Sequence, residues 1–172
     1  MPGDESLTGT IQVLKKYVDN PVLRKLMLTF TNTCEKDKGS RLKIALELYV
    51  GAREKACPIC RFLVKPVVSW TVKKGAKAFG LSEKQIKEKF KDPYWRQGLL
   101  NVIRGIAKYG VRRPFTPGAP FLIVWDYTYA CNLKCKHCYA TAGKPMPNEL
   151  STEEALKLVD HLGDVGVTAL AF

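Results

Sequence analysis

An α/β chain in two parts, mostly helical first and β-α-β second, is what this 172-residue sequence predicts. Three observations carry that reading. Apolar residues recur at helical spacing through about residue 110. A Pro- and Gly-rich stretch, PFTPGAP at 114–120, then breaks the pattern. Behind it, two continuous apolar runs flank one well-capped helix. A hydrophobic content of 46% is enough for a core, and a compact chain of this length buries roughly 70% of its unfolded surface. With 26% charged residues the composition is neither disordered nor fibrous. Apolar runs such as Pro120 to Trp125 are too short to cross a bilayer. The start MPGDESLTGT does not read as a secretory signal, so a cytoplasmic protein is expected.

Leu7, Ile11, Leu14 and Val18 predict a first amphipathic helix. Asn20 and Pro21 read as the N-cap and first position of the next, with Leu23, Leu26, Met27 and Phe30 on one face. Gly39-Ser40 opens a third, with Leu42, Ala45, Leu46 and Tyr49 inward. Cys57-Pro58-Ile59-Cys60 reads as a tight turn that interrupts the helices, and Phe62 to Phe79 as either strand or buried helix. Ser82 with Gln85 resembles a capping box for a short Lys-rich helix. Asp92-Pro93 starts the clearest amphipathic helix, ending near Gly110, with Trp95, Leu99, Val102, Ile103 and Ile106 on one side. Past the prolines, Phe121 to Trp125 has the continuous apolar character of a buried strand. Ser151 with Glu154 is a capping box for a helix with Ala155, Leu158, Val159 and Leu162 inward and Gly163 as terminator. Val167 to Phe172 is a second strand, parallel to the first through a right-handed crossover. Residues 1–113 are thus a basic helical domain, 114–120 a linker or hinge, and 121–172 the start of a second domain. Two strands do not close an α/β domain, and their apolar edge is expected to be exposed and aggregation-prone.

The net charge of +12 is concentrated. Residues 51–115 hold 16 Lys and Arg against 4 Asp and Glu, while the rest of the chain is nearly balanced. Lys73, Lys74, Lys77, Lys84, Lys87, Lys89 and Lys91 form a dense series, continued by Arg96, Arg104, Lys108, Arg112 and Arg113. Such a block suits solvated helices, a polyanion such as RNA, or an acidic or membrane partner. Solvated helices are the favoured reading, and RNA is possible but not favoured, because no recognised RNA-binding motif accompanies the charge.

Six cysteines fall in two groups of three. A disulfide scaffold would be denser and exported. Cys131, Cys135 and Cys138 form a C-x3-C-x2-C just after the first strand, so three soft ligands lie within eight residues. Soft thiolates select iron–sulfur, zinc or copper(I). Adjacent His137 and Cys138 would ligate one zinc awkwardly. Cys34, Cys57 and Cys60 are less definite. The C-x2-C gap is ligand-like, yet no histidine stands near to supply a fourth donor. Inert buried thiols, a second metal or cluster, and a redox dithiol all fit.

The stretch Cys131-Asn-Leu-Lys-Cys135-Lys-His137-Cys138-Tyr139 resembles the cluster loop of radical S-adenosylmethionine enzymes, in the style of the haem-pathway and peptide-modifying (SPASM-type) members. Asn132 and Tyr139 match that style. His137 stands where the family commonly has an aromatic residue near the adenine. The resemblance covers roughly residues 118–172. It implies the first β-α-β unit of an incomplete (β/α)6 partial barrel, with Cys131, Cys135 and Cys138 holding a [4Fe–4S] cluster. It implies S-adenosylmethionine as cosubstrate, His137 beside it, and reductive cleavage to a 5′-deoxyadenosyl radical that modifies a cofactor precursor or peptide. A low-potential electron donor is the implied partner, drawn by Lys134 and Lys136 if these are more than a solvated loop. The family's Gly-Gly-Glu-Pro segment would follow Phe172, so the chain reads as an amino-terminal part, lacking the later barrel segment and catalytically incomplete. The rival reading is a zinc-stabilised RNA-binding or structural module without catalysis. His161 reads as a packing or surface residue.

Overall fold

The computed structural model describes residues 20–111 and 114–172. The helix read over Leu7 to Val18 and the pair Arg112 and Arg113 lie outside the described residues. The chain divides into two compact units, one ending at Gly118 and the other spanning Ala119–Phe172.

In the first unit, local chemistry sets most helix starts. Asn20 Oδ1 accepts the Val22 amide at 2.9 Å, and Pro21 opens α1 (Pro21–Thr31). A short antiparallel hairpin follows, β1 (Thr33–Cys34) with β2 (Gly39–Ser40), Cys34 paired with Gly39. Helix α2 (Arg41–Val50) buries Leu42, Ala45, Leu46 and Tyr49, the face that the spacing predicts, and ends at left-handed Gly51. Ser40 does not cap it; its hydroxyl donates to the Thr31 carbonyl at 3.1 Å.

Cys57 to Cys60 is not the interrupting turn that the sequence predicts. Pro58 has helical angles and leads into a π-helix, Ile59–Val64, that continues directly into α3 (Lys65–Ala78). The stretch after Cys60, undecided between strand and helix, is therefore helical. Pro66 has no amide to give to the preceding turn, and the wide π turn ends where that proline enters.

Helix α4 (Glu83–Lys91) starts at the predicted capping box, with Ser82 N–H on Gln85 Oε1 at 2.8 Å and Gln85 N–H on Ser82 Oγ at 3.3 Å. Asp92 caps α5 (Pro93–Tyr109) through the Tyr94 amide at 2.9 Å. The buried face of α5 is Arg96, Leu100, Asn101, Gly105 and Ala107, rotated from the predicted stripe. Arg96 belongs inside because its guanidinium donates to the Phe90 and Lys91 carbonyls, both at 2.6 Å, and so satisfies the end of α4. Leu99 and Ile103 from the predicted stripe are partly buried against the core. They line an apolar groove of about 590 Å³ shared with Leu26, Phe30 and Trp70. The core itself joins Leu42, Ala45 and Leu46 of α2 to Val64, Val68, Phe90 and Leu100.

The sequence read as a linker is partly fixed. Gly118 N–H donates to the Asn101 carbonyl at 2.8 Å, and a side chain at Gly105 would meet the backbone of Thr116 and Pro117.

In the second unit, β3 (Leu122–Val124) and β4 (Ala169–Ala171) pair in parallel, Leu122 with Ala169 and Val124 with Ala171. The helix between them, α6 (Thr152–Val165), has the predicted capping box, with Ser151 N–H on Glu154 Oε2 at 2.9 Å. It runs through Gly163 and ends at Gly166, which takes the left-handed conformation at φ 98°. A terminator is needed where the backbone turns left-handed, and Gly163 stays helical. The expectation of a buried first strand also fails. Leu122 is 57% and Val124 60% exposed, because the sheet of this unit has two strands and α6 buries none of its residues fully.

Candidate functional site

The two cysteine groups have opposite geometries. Cys131, Cys135 and Cys138 are free and exposed on the irregular segment after β3. A carboxylate that the sequence reading missed gives that segment its shape. Glu149 accepts the Tyr129 amide at 2.7 Å and the Met146 amide at 2.8 Å through Oε1, and the Thr128 hydroxyl at 2.9 Å through Oε2. Gly143 N–H closes on the Tyr129 carbonyl at 2.8 Å. The cysteines therefore sit on a loop clasped at its base.

Within the loop, backbone amides turn toward sulfur. Leu133 N–H points at Cys131 Sγ at 3.4 Å. The amides of Ala142 and then Ala140 lower the Cys138 thiol from its ordinary value, which favours the thiolate. The Cys138 amide donates to the Cys135 carbonyl at 3.2 Å, making a tight turn around exposed His137. Tyr139 donates its hydroxyl to Asp126 at 3.1 Å, and that bond raises its phenol. Free, water-facing thiols of this kind fit the chemistry of a thiolate-held iron–sulfur group. They do not form a compact single-ion group among the described residues.

The other group does. Sγ of Cys34, Cys57 and Cys60 and a carboxylate oxygen of Asp37 all lie within 4.8 Å of one another. Cys34 comes from β1, Asp37 from the turn before β2, and the last two cysteines from the entry to the π-helix. Cys34 Sγ stands 3.6 Å from Cys57 Sγ and 3.5 Å from Asp37 Oδ2. The Cys57 amide donates to both Asp37 oxygens, at 3.2 and 3.1 Å, and the Cys60 amide to Cys57 Sγ at 3.4 Å. The Cys57 amide first, and the thiols after it, lower the Asp37 carboxyl. The Asp37 amide lowers the Cys34 thiol. Burial raises the Cys60 thiol well above its ordinary value. Ile44 and Leu48 form an apolar wall behind the group.

Asp37 is the fourth donor that the sequence reading lacked. Its signal was present: Cys34-Glu-Lys-Asp37 has the same two-residue gap as Cys57-Pro-Ile-Cys60. His161 is exposed on α6 and belongs to neither group.

The basic block is largely engaged within the chain. Lys73 and Lys87 share the Glu83 carboxylate at 3.1 and 3.0 Å, and Lys91 pairs with Glu88 at 2.8 Å. Lys74 lies over Trp70 and Lys89 over Trp95, at 4.4 and 4.7 Å from the ring centres. Among the described residues no helix is long and apolar enough to cross a membrane.

No family model and no solved structure matches the chain. Curated relatives do. The chain is 48% identical over 44 residues to the mycofactocin maturase MftC of Mycolicibacterium smegmatis, covering 26% of this chain and 11% of the relative. It is 46% identical over 63 residues to the AdoMet-dependent heme synthase of Nitratidesulfovibrio vulgaris, covering 35% and 17%. It is 34% identical over 91 residues to the sporulation killing factor maturation protein SkfB of Bacillus subtilis, covering 51% and 21%. The matches thus span about a tenth to a fifth of those relatives' own length.

Proposed function

We propose, for a chain whose curated relatives are radical S-adenosylmethionine enzymes, that it supplies the cluster-holding opening unit of such an enzyme. Cys131, Cys135 and Cys138 are the ligands of a [4Fe–4S] cluster in this reading. One observation carries it: three free, exposed thiols lie within eight residues on one clasped loop after a parallel strand. Three protein ligands leave one iron of a cubane for S-adenosylmethionine. With both bound, and an electron from a low-potential donor, the site would supply reductive cleavage of the sulfonium and a radical that takes hydrogen from a cofactor precursor or peptide.

The chain's own residues have defined tasks. The amides of Ala142 and Ala140 favour thiolate at Cys138, and the Leu133 amide points at Cys131 Sγ. Glu149 holds the two ends of the loop together, and Asp126 holds Tyr139. His137 is assigned to the cosubstrate by its place in the motif. Exposed Lys134 and Lys136 offer positive charge to an acidic, low-potential electron donor. A reducing cytoplasm keeps such thiols available.

The rival reading, a zinc-stabilised RNA-binding or structural module, keeps one observation in its favour, the compact Cys34 group. That group does not compete for the loop thiols, and many of the block's lysines already have intramolecular partners.

Anaerobic reconstitution of the chain with iron and sulfide tests the proposal. Cubane absorbance and an EPR signal after reduction are expected, and both are lost on changing Cys131, Cys135 or Cys138 to Ala. Zinc bound by those cysteines, with no iron uptake, overturns it.

A further inference from the structure

The Cys34 group has the dimensions of a single-ion centre. We propose that Cys34, Asp37, Cys57 and Cys60 form a closed tetrahedral Zn²⁺ site that staples the β1–β2 turn to the start of the π-helix. This inference does not rest on the reading of the Cys131 loop, and either can fail alone.

Distances decide between one ion and a cluster. Zinc–thiolate bonds of about 2.3 Å and a zinc–carboxylate bond of about 2.0 Å give tetrahedral edges of roughly 3.8 Å between sulfurs and 3.5 Å from sulfur to oxygen. The structure has 3.6 Å between Cys34 and Cys57 Sγ, and 3.5 Å from Cys34 Sγ to Asp37 Oδ2. A cubane, with irons at alternate corners, spreads its thiolate sulfurs to about 6 Å. No pair of donors here exceeds 4.8 Å. A cluster of that size has no room between these side chains.

The donor set also argues against a packing role alone. Inert thiols need no carboxylate, yet Asp37 turns both oxygens inward, onto the Cys57 amide and the Cys34 thiol. The donated amides are the outer contacts that fix ligand orientation at metal centres. A disulfide would bring two sulfurs to about 2.05 Å and leave the third thiol and the carboxylate idle. Four protein donors fill the coordination sphere, the mark of a structural rather than a catalytic zinc. Cys34 and Cys60 are 5% and 0% exposed, while Cys57 is half-buried and marks the side from which an ion enters.

The test uses the full chain, reduced, demetallated with a chelator and titrated with Zn²⁺ or Co²⁺ alone. One equivalent of zinc should bind and raise the midpoint of thermal unfolding. Co²⁺ should give the intense visible bands of a tetrahedral ion and the near-ultraviolet bands of thiolate charge transfer. Cys60→Ser should abolish both. Asp37→Asn, which keeps the fold's hydrogen-bonding shape, should shift the Co²⁺ bands and weaken binding at least tenfold. The triple variant Cys131→Ala, Cys135→Ala, Cys138→Ala should still bind one equivalent. Three outcomes overturn the proposal: no Co²⁺ spectrum from the fully reduced wild-type chain, an unchanged spectrum in Cys60→Ser, or iron and sulfide bound in cluster ratio by the triple variant.

Discussion

The Glu149 carboxylate accepts the Tyr129 amide at 2.7 Å across 20 residues of chain, and with the same oxygen it accepts the Met146 amide. One side chain therefore closes the base of the loop that carries Cys131, Cys135 and Cys138. No regular secondary structure lies between β3 and α6 to do so. A loop of about 25 residues without such a clasp has a large entropy to lose on becoming ordered.

That clasp is pH-dependent. The two amides, Tyr129 first, lower the Glu149 carboxyl below its ordinary value of 4.5. A carboxyl lowered by folding stabilises the folded form fully above its unfolded value, and the contribution disappears as pH falls through the folded value. Amide exchange at Tyr129 and Met146 should therefore be slow at neutral pH and lose its protection only at acid pH below the ordinary glutamate range. In Glu149→Gln it should be faster at neutral pH and no longer follow that titration. Unchanged protection in Glu149→Gln would show that the clasp does not order the loop.

Two glycines in helices should respond to alanine with opposite signs. A Cβ on Gly105 would lie 2.8 Å from Pro117 Cα and against the Thr116 carbonyl, both backbone, so the 116–118 segment must move off α5. Gly105→Ala should cost about 1–3 kcal/mol, the usual range for overpacking. Gly75 in α3 has nothing within 4 Å of such a Cβ. Gly75→Ala should stabilise by about 0.5–1 kcal/mol through helix propensity. Urea unfolding of both variants gives the signs, and equal effects would show that Thr116–Gly118 is not docked.

Local signals were legible in the sequence, and donors gathered from afar were not. Asn20, Ser82, Asp92 and Ser151 act within three residues of themselves, so their caps can be read directly. The faces of α5 were read by hydrophobicity alone, and Arg96 took an inner position because the end of α4 needed donors. Gly163 and Gly166 are alike in sequence, and only the path of the chain toward β4 selects the second. Asp37 and Glu149 are ordinary surface carboxylates until the fold brings backbone amides 20 residues distant to them. The C-x3-C-x2-C loop stands out by spacing because its three cysteines are close in sequence. The Cys34 group needed the fold, because 22 residues separate Cys34 from Cys57.

The two units should differ in protection from hydrogen exchange. Leu46 of α2 is 0% exposed, and its amide opens only when the core around Val64, Phe90 and Leu100 opens. Strands β3 and β4 pair over three residues each, with Leu122 and Val124 largely exposed. A two-stranded sheet has little of its own to hold it. In the chain as it stands, exchange at Leu46 and Leu100 should be slower by orders of magnitude than at Leu122 to Val124. Val124→Thr should change stability by less than about 0.5 kcal/mol, whereas Leu46→Ala should cost about 2–5 kcal/mol. Equal protection in both units would mean that the β3–β4 sheet is covered in solution, and Val124→Thr would then become costly as well.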